Sequence, residues 1–193
     1  MQLWGEFFYL NPMFVIAIAG NDGAGKSTVA RSIRELIDPH RDCVIRPLAE
    51  SLREEIRQFV PPTVDPWQKP TPEWLRDLLK GWGGLRRSQD PEYWIKAWVQ
   101  GINLRESRPE IAIIDDLRYL NELNFVKERQ GMVIFLDRQS RMKAGYELDE
   151  LKRYADQRIL VDPVGKVYAS PTLTFHLIND FRLRQGLQSL FSA

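Results

Sequence analysis

Residues 20–27 read Gly20-Asn21-Asp22-Gly23-Ala24-Gly25-Lys26-Ser27, a complete G-x-x-x-x-G-K-[ST] string. Such a string fixes a backbone geometry and a ligand class together. Its glycines let the chain turn successive N–H groups toward one anion. Lys26 brings charge to β/γ-phosphate oxygens, and the Ser27 hydroxyl is a hard ligand for Mg²⁺. The flanks agree with this reading. Residues 14–19 are an apolar run of strand length, and Val29, Ile33, Leu36 and Ile37 recur at helical spacing after the loop. Strand, glycine loop and helix thus follow in the order the motif requires, with the helix N-terminus adding partial positive charge beneath the phosphates. Gly20, Asp22, Gly23, Ala24, Gly25, Lys26, Ser27 and Thr28 are the expected donor-nucleotide residues.

Composition narrows the class. The chain has 193 residues, 44% apolar and 27% charged, which suits one soluble domain able to cover both faces of a sheet. A net charge of +1 gives no broad basic surface, so stable nucleic-acid binding is not expected. Arg supplies 19 of the 27 cationic side chains, a bias that suits bidentate phosphate contacts. Cys43 is the single cysteine and His40 and His176 the two histidines, so neither a disulfide framework nor a Cys/His metal centre is expected. No run approaches the roughly 20 apolar residues of a membrane span. The first ten residues lack the positive start of a signal peptide. These features predict a cytoplasmic protein with no membrane partner. Met13 stands directly before the first strand, so residues 1–12 read as an extension and 13–193 as one domain.

Apolar runs predict strands at 14–19, 43–46, 111–115 and 132–136, with a fifth near 173–178. Helices are predicted at 27–37, 48–59, 72–80, 91–105, 120–129, 147–155 and 180–191. Thr71-Pro72-Glu73 and Asp90-Pro91-Glu92 each place a capping side chain before a proline at the first helical position. Alternating strands and helices predict an α/β fold: a three-layer α/β/α sandwich on a mostly parallel five-stranded sheet. Residues 156–172 read only as a connection.

The run Ile111-Ala112-Ile113-Ile114-Asp115-Asp116-Leu117-Arg118 is an apolar strand ending in carboxylates. Parallel strands of such a sheet end at one edge, which brings Asp115 or Asp116 toward Ser27 as the acidic partner of Mg²⁺.

Residues 113–122, Ile-Ile-Asp-Asp-Leu-Arg-Tyr-Leu-Asn-Glu, are similar to the "T-D-V-R-F-P-N-E" signature of the bacteriophage-type deoxynucleoside monophosphate kinases, within the P-loop nucleotide kinases. Asp116, Arg118, Asn121 and Glu122 match it. Arg46-Pro47-Leu48-Ala49-Glu50 resembles that family's "F-A-D-P-L-K" stretch. Gly83-Gly84 through Arg87, Asp90-Pro91 and Trp94 resemble its "G-T-(x)n-R-x-x-D-P-x-x-W", with Gly-Gly in place of Gly-Thr. Strand 132–136, followed by Asp137-Arg138, resembles the strand that enters the family's lid.

The resemblance implies an ATP- and Mg²⁺-dependent kinase that phosphorylates a deoxynucleoside monophosphate, in the host cytoplasm if the chain is phage-encoded. It implies an acceptor-binding helical region over about 47–105 and a lid over about 138–158. The substrate residues it suggests are Glu50, Arg87, Trp94, Asp116 and Arg118, with Arg46 added from its place at the end of the second strand. Lys26, Arg118, Arg138 and Arg141 are the catalytic set, Ser27, Asp115 and Asp116 the metal set, and Asn179 a contact to the donor adenine. Trp94 and Trp98 also fit an apolar core stripe. A homodimer is left open. The phosphate loop does not report the acceptor, so a kinase of another small metabolite is a second reading. A non-catalytic nucleotide switch or the ATPase subunit of a nucleic-acid machine is a third, disfavoured by the short, nearly neutral chain and its acceptor-side arginines.

Overall fold

The computed structural model describes residues 13–37, 40–138, 147–161, 171–184 and 186. Five strands and seven helices alternate along them: β1 (Phe14–Gly20), α1 (Lys26–Leu36), β2 (Cys43–Ile45), α2 (Leu48–Ile56), α3 (Glu73–Gln89), α4 (Tyr93–Asn103), β3 (Ile111–Leu117), α5 (Leu120–Glu128), β4 (Met132–Arg138), α6 (Leu148–Tyr154), β5 (Gln157–Val161) and α7 (Pro171–Arg184). The chain divides into two compact units, Pro47–Glu106 and the remainder.

The larger unit holds the sheet, in the order β2-β3-β1-β4-β5 with every pair parallel. Central β1 is buried along its whole length, which is why it reads as an unbroken apolar run rather than an alternating one. Helices α1 and α7 pack together on one face, and α5 and α6 on the other. On the first face Phe14, Ile16 and Ile18 meet Ile111 and Ile113 from β3, Ile134 and Leu136 from β4, and Val29, Ala30 and Ile33 from α1. The fold is the expected α/β sandwich.

Two element assignments need correction. Residues 173–178 belong to α7, and the fifth strand is instead Gln157–Val161, inside the stretch read as a connection. The segment Thr-Leu-Thr-Phe-His-Leu alternates like a strand. As a helix beginning at Pro171, it presents Ile178 to the core and Phe181 and Arg182 to Phe14. β5 pairs with β4 alone and alternates between buried Ile159 and Val161 and exposed Arg158 and Leu160, so it offers no continuous apolar run.

The smaller unit is helical. Ile56, Leu75 and Leu79 are its buried cluster, with Leu52, Leu78 and Trp82 packed against them. Here α3 runs to Gln89, nine residues beyond the predicted end at 80, straight through Gly81, Gly83 and Gly84. Each glycine disfavours the helix by about 1 kcal/mol relative to Ala. Gly83 is buried against Leu52, and its carbonyl accepts the Trp94 indole N–H at 3.1 Å. The predicted Thr71 cap is absent, since that hydroxyl donates to the Gln68 carbonyl instead. Asp90 does act at the start of α4, its Oδ1 accepting the Glu92 N–H at 3.0 Å.

Candidate phosphate-transfer site

The larger unit assembles a site at the edge where its parallel strands end. β1 stops at Gly20, whose φ of 141° and close approach to β4 admit only glycine: a Cβ would lie 2.6 Å from the Leu136 carbonyl oxygen. The chain then turns through Gly23 at φ 73° and Gly25 at φ 89°, and Gly25 is the N-cap of α1. The loop is closed internally, the Ala24 N–H donating to the Asn21 carbonyl at 3.1 Å. The Lys26 ammonium donates to the Gly20 and Asn21 carbonyls at 2.8 and 2.9 Å, folding back over the loop. Ser27 and Thr28 are exposed at the first turn of α1.

Lys26 is the electrostatic centre of this edge. Burial pushes its pKa below the usual lysine value and the Arg118 charge pushes it further, while Asp22, Asp116 and Asp115 pull the other way. Desolvation, the leading cause, disfavours the ammonium, and a polyphosphate beside it would favour it.

The carboxylates reach the edge through an irregularity of β3. Between Ala17 and Ala19 of β1, the β3 partner moves from Ile114 to Leu117, so β3 carries one extra residue over Asp115–Asp116. Such a bulge re-aims side chains, and both acids lie within the field of Lys26. Asp115 is buried and its Oδ1 has no hydrogen-bond partner. Asp116 is half-buried. An orphaned buried carboxylate oxygen and an exposed serine hydroxyl, both at this edge, are hard oxygen donors of the kind a divalent cation takes. Among the described residues no cluster of three or more His, Cys, Asp or Glu could hold a metal alone. Mg²⁺ takes one or two protein oxygens and completes its shell with phosphate and water. Ser27 with Asp115 or Asp116 would hold it, and it would neutralise charge between the β- and γ-phosphates.

Two arginines flank the loop, one from each neighbour of β1. Arg118, just past β3, lies 3.6 Å from the Asp22 carboxylate. Arg138, at the end of β4, donates from Nη1 to the Gly23 carbonyl. Glu122, one of the motif matches, positions the backbone of Arg118. Glu122 is 3% exposed, and its Oε2 accepts the backbone N–H of Arg118 at 2.8 Å and of Tyr119 at 3.1 Å. Glu at the third position of a helix is a known capping signal, so this role was available to inspection. Glu122→Ala would leave those N–H groups unsatisfied. A loss of about 1–3 kcal/mol is expected in urea unfolding.

Arg46 is at the same sheet edge, following β2, where its N–H donates to the Ile113 carbonyl at 2.9 Å and its side chain is 9% exposed. Asn179 lies inside α7 beside Ile178 rather than at a strand end, and is half-buried. Arg141 lies outside the described residues. The remaining predicted residues belong to the smaller unit. Glu50 is half-buried on α2, its N–H closing a turn on the Pro47 carbonyl at 3.1 Å. Arg87 is half-buried on α3 next to Gly83. Trp94 is a correction: at 3% exposure, with its N–H on Gly83 and its ring edge-on to Tyr93, it is a core residue rather than a surface for a base. The neighbouring Arg86 is structural, gripping Glu55 while the Tyr93 hydroxyl donates to the other Glu55 oxygen at 3.0 Å.

No family model and no curated protein matches this chain. Among solved structures, it is similar to TT1252 from Thermus thermophilus at 15% identity, with 77% of this chain and 88% of that one covered and a TM-score of 0.43. It is similar to shikimate kinase from Acinetobacter baumannii in complex with shikimate at 16% identity, over 90% and 94% of the two chains, with a TM-score of 0.40. A hexameric APS kinase from Thiobacillus denitrificans matches at 16% identity over 92% of this chain and 30% of that one, with a TM-score of 0.39. Likeness at this level concerns outline alone and says nothing about the acceptor.

Proposed function

We propose that this chain is a phosphotransferase that moves the γ-phosphoryl group of ATP, with Mg²⁺, onto a nucleoside monophosphate, a deoxynucleotide being the favoured acceptor. The observation that carries it is the loop itself, with Lys26, Arg118, Arg138, Asp115 and Asp116 at one sheet edge. The loop amides and Lys26 hold the β- and γ-oxygens of the donor. Arg118 draws the acceptor phosphate toward the γ-phosphorus, Arg138 balances charge on the transferring group, and Arg46 and Arg87 complete acceptor binding. Asp116 and Glu50 act as substrate contacts, and Asn179 and Arg141 keep their proposed donor-base and lid roles. The attacking atom is a phosphate oxygen, largely ionised at neutral pH, so the residues need to align and neutralise rather than remove a proton.

A coupled assay of ADP release, run with each deoxynucleoside and ribonucleoside monophosphate and with uncharged hydroxyl metabolites, tests the proposal. Turnover with one or two monophosphates is expected. Tight ATP binding with turnover only on a hydroxyl metabolite, or on nothing, overturns the acceptor class. A narrower expectation concerns Arg87→Ala. It should raise the acceptor KM by about tenfold or more, the worth of a lost charged hydrogen bond, with ATP affinity unchanged. Equal losses for both substrates reject the acceptor role.

A further inference from the structure

The phosphate loop of this chain has little stiffness of its own. Three of its residues, Gly20, Gly23 and Gly25, sit at positive φ. The last backbone pairing that ties it to the sheet is Gly20 with Leu136 on β4. Beyond that rung the backbones of β1 and β4 part, yet two further bonds span the gap. The Asn21 side-chain amide donates to the Arg138 carbonyl at 3.2 Å, and the Arg138 guanidinium returns across the gap to the Gly23 carbonyl. The two bonds are reciprocal: the loop residue holds the strand's backbone, and the strand residue holds the loop's. Asn21 also lends its own carbonyl to Ala24 N–H and to Lys26 Nζ. One residue thus joins the loop's internal closure to its attachment on β4.

We propose that Asn21 is a positioning residue, and that its side chain with Arg138 forms a clasp that continues the β1–β4 ladder past its last backbone rung and preorganises the loop for phosphate. The physical need is entropic. Fixing one residue's backbone costs about 1–2 kcal/mol, and a glycine-rich loop left loose levies that cost on every binding event. Two hydrogen bonds made before the ligand arrives remove part of it. They also hold the Gly23 carbonyl, which accepts from the Arg138 guanidinium. The clasp rests on the phosphate-binding reading above, and it adds a residue that the G-x-x-x-x-G-K-[ST] pattern leaves unspecified.

The test uses the full chain with ATP and, separately, inorganic tripolyphosphate as calorimetric probes. Asn21→Ala is expected to bind both about tenfold more weakly, in line with one or two lost hydrogen bonds, while its circular dichroism stays that of the parent. Asn21→Gln, which keeps the amide donor, recovers part of the loss, and Asn21→Asp, which cannot donate, does not. Amide hydrogen exchange without ligand should quicken across residues 21–25 in Asn21→Ala. Arg138→Ala removes the return bond to Gly23 but keeps the carbonyl that accepts from Asn21, so it too should quicken exchange across residues 21–25 without ligand. Parental affinity in folded Asn21→Ala, or parental exchange across 21–25 in Arg138→Ala, overturns the clasp. Should the parent chain bind neither probe, the phosphotransfer reading falls, and hydrogen exchange still judges the clasp: unchanged protection across 21–25 in Asn21→Ala overturns it, and lost protection upholds it.

Discussion

Lys26→Met should reduce turnover by about a thousandfold or more while leaving the ligand-free chain at least as stable as the parent. On the proposed function, the catalytic loss follows from removing a preorganised cation from the oxygens where charge develops, the kind of deletion that costs about 10²–10³ for one neutral donor and more for a charged one. The stability outcome follows from the direction of the lysine's own shift. Burial first, and then Arg118, hold its pKa below 10.5. A cationic group with a depressed folded-state pKa favours the unfolded chain whenever it is protonated. That penalty is full below the folded pKa and disappears as pH rises from there toward 10.5. Methionine keeps the stem and removes the charge. Thermal melting of parent and variant at neutral pH should therefore show no loss for Lys26→Met, and the two curves should converge as pH approaches 10. A clear fall in the variant's Tm at neutral pH would mean that the bonds to the Gly20 and Asn21 carbonyls outweigh the desolvation.

The second large effect is expected at Gly20. A methyl group there meets the Leu136 carbonyl oxygen at 2.6 Å and the Leu136 Cβ at 3.2 Å, on a backbone already at φ 141°. Conformational strain of about 1–3 kcal/mol adds to an overpacking cost of similar size. Because the clash is with backbone of an interior strand, neither partner can yield cheaply. Gly20→Ala should lose about 3 kcal/mol or more in chemical denaturation and no longer bind ATP. Gly25→Ala is the informative control. Its φ of 89° is also left-handed, but nothing lies within 4 Å of the added atom, so about 1–2 kcal/mol is expected from backbone strain alone. Equal losses at the two sites would show that conformation, not the approach of β4, fixes the glycine at position 20.

What could be read in advance tracks how local each cause is. β1, the loop and α1 are specified by neighbours within about twenty residues: an apolar run, three glycines that permit left-handed turns, then apolar residues at helical spacing. β3 and its two acids were legible for the same reason. The bulge that turns both acids toward Lys26 was not, because a bulge is a mismatch between two strands nearly a hundred residues apart. The failures were of that kind too. Residues 173–178 have the alternation of a strand, and the need to cover Phe14 and the α1 face made them helix. The three glycines of α3 signal an end by propensity alone, yet the helix runs on to Gln89, with only Gly83 among them buried and bonded to Trp94.

By itself, then, the sequence determined an anion-binding loop between a buried strand and a helix, an acidic strand end, and a parallel α/β frame. Those depend on backbone conformation and on short-range period. The tertiary structure decided which groups meet around Lys26: Arg118 paired with Asp22, Arg138 clasped to Asn21 and Gly23, Glu122 fixing the Arg118 backbone, and Trp94 withdrawn into a core. Those contacts join residues up to 117 positions apart. Only the closing of the sheet, which places the ends of β3 and β4 on either side of the loop, brings them within reach.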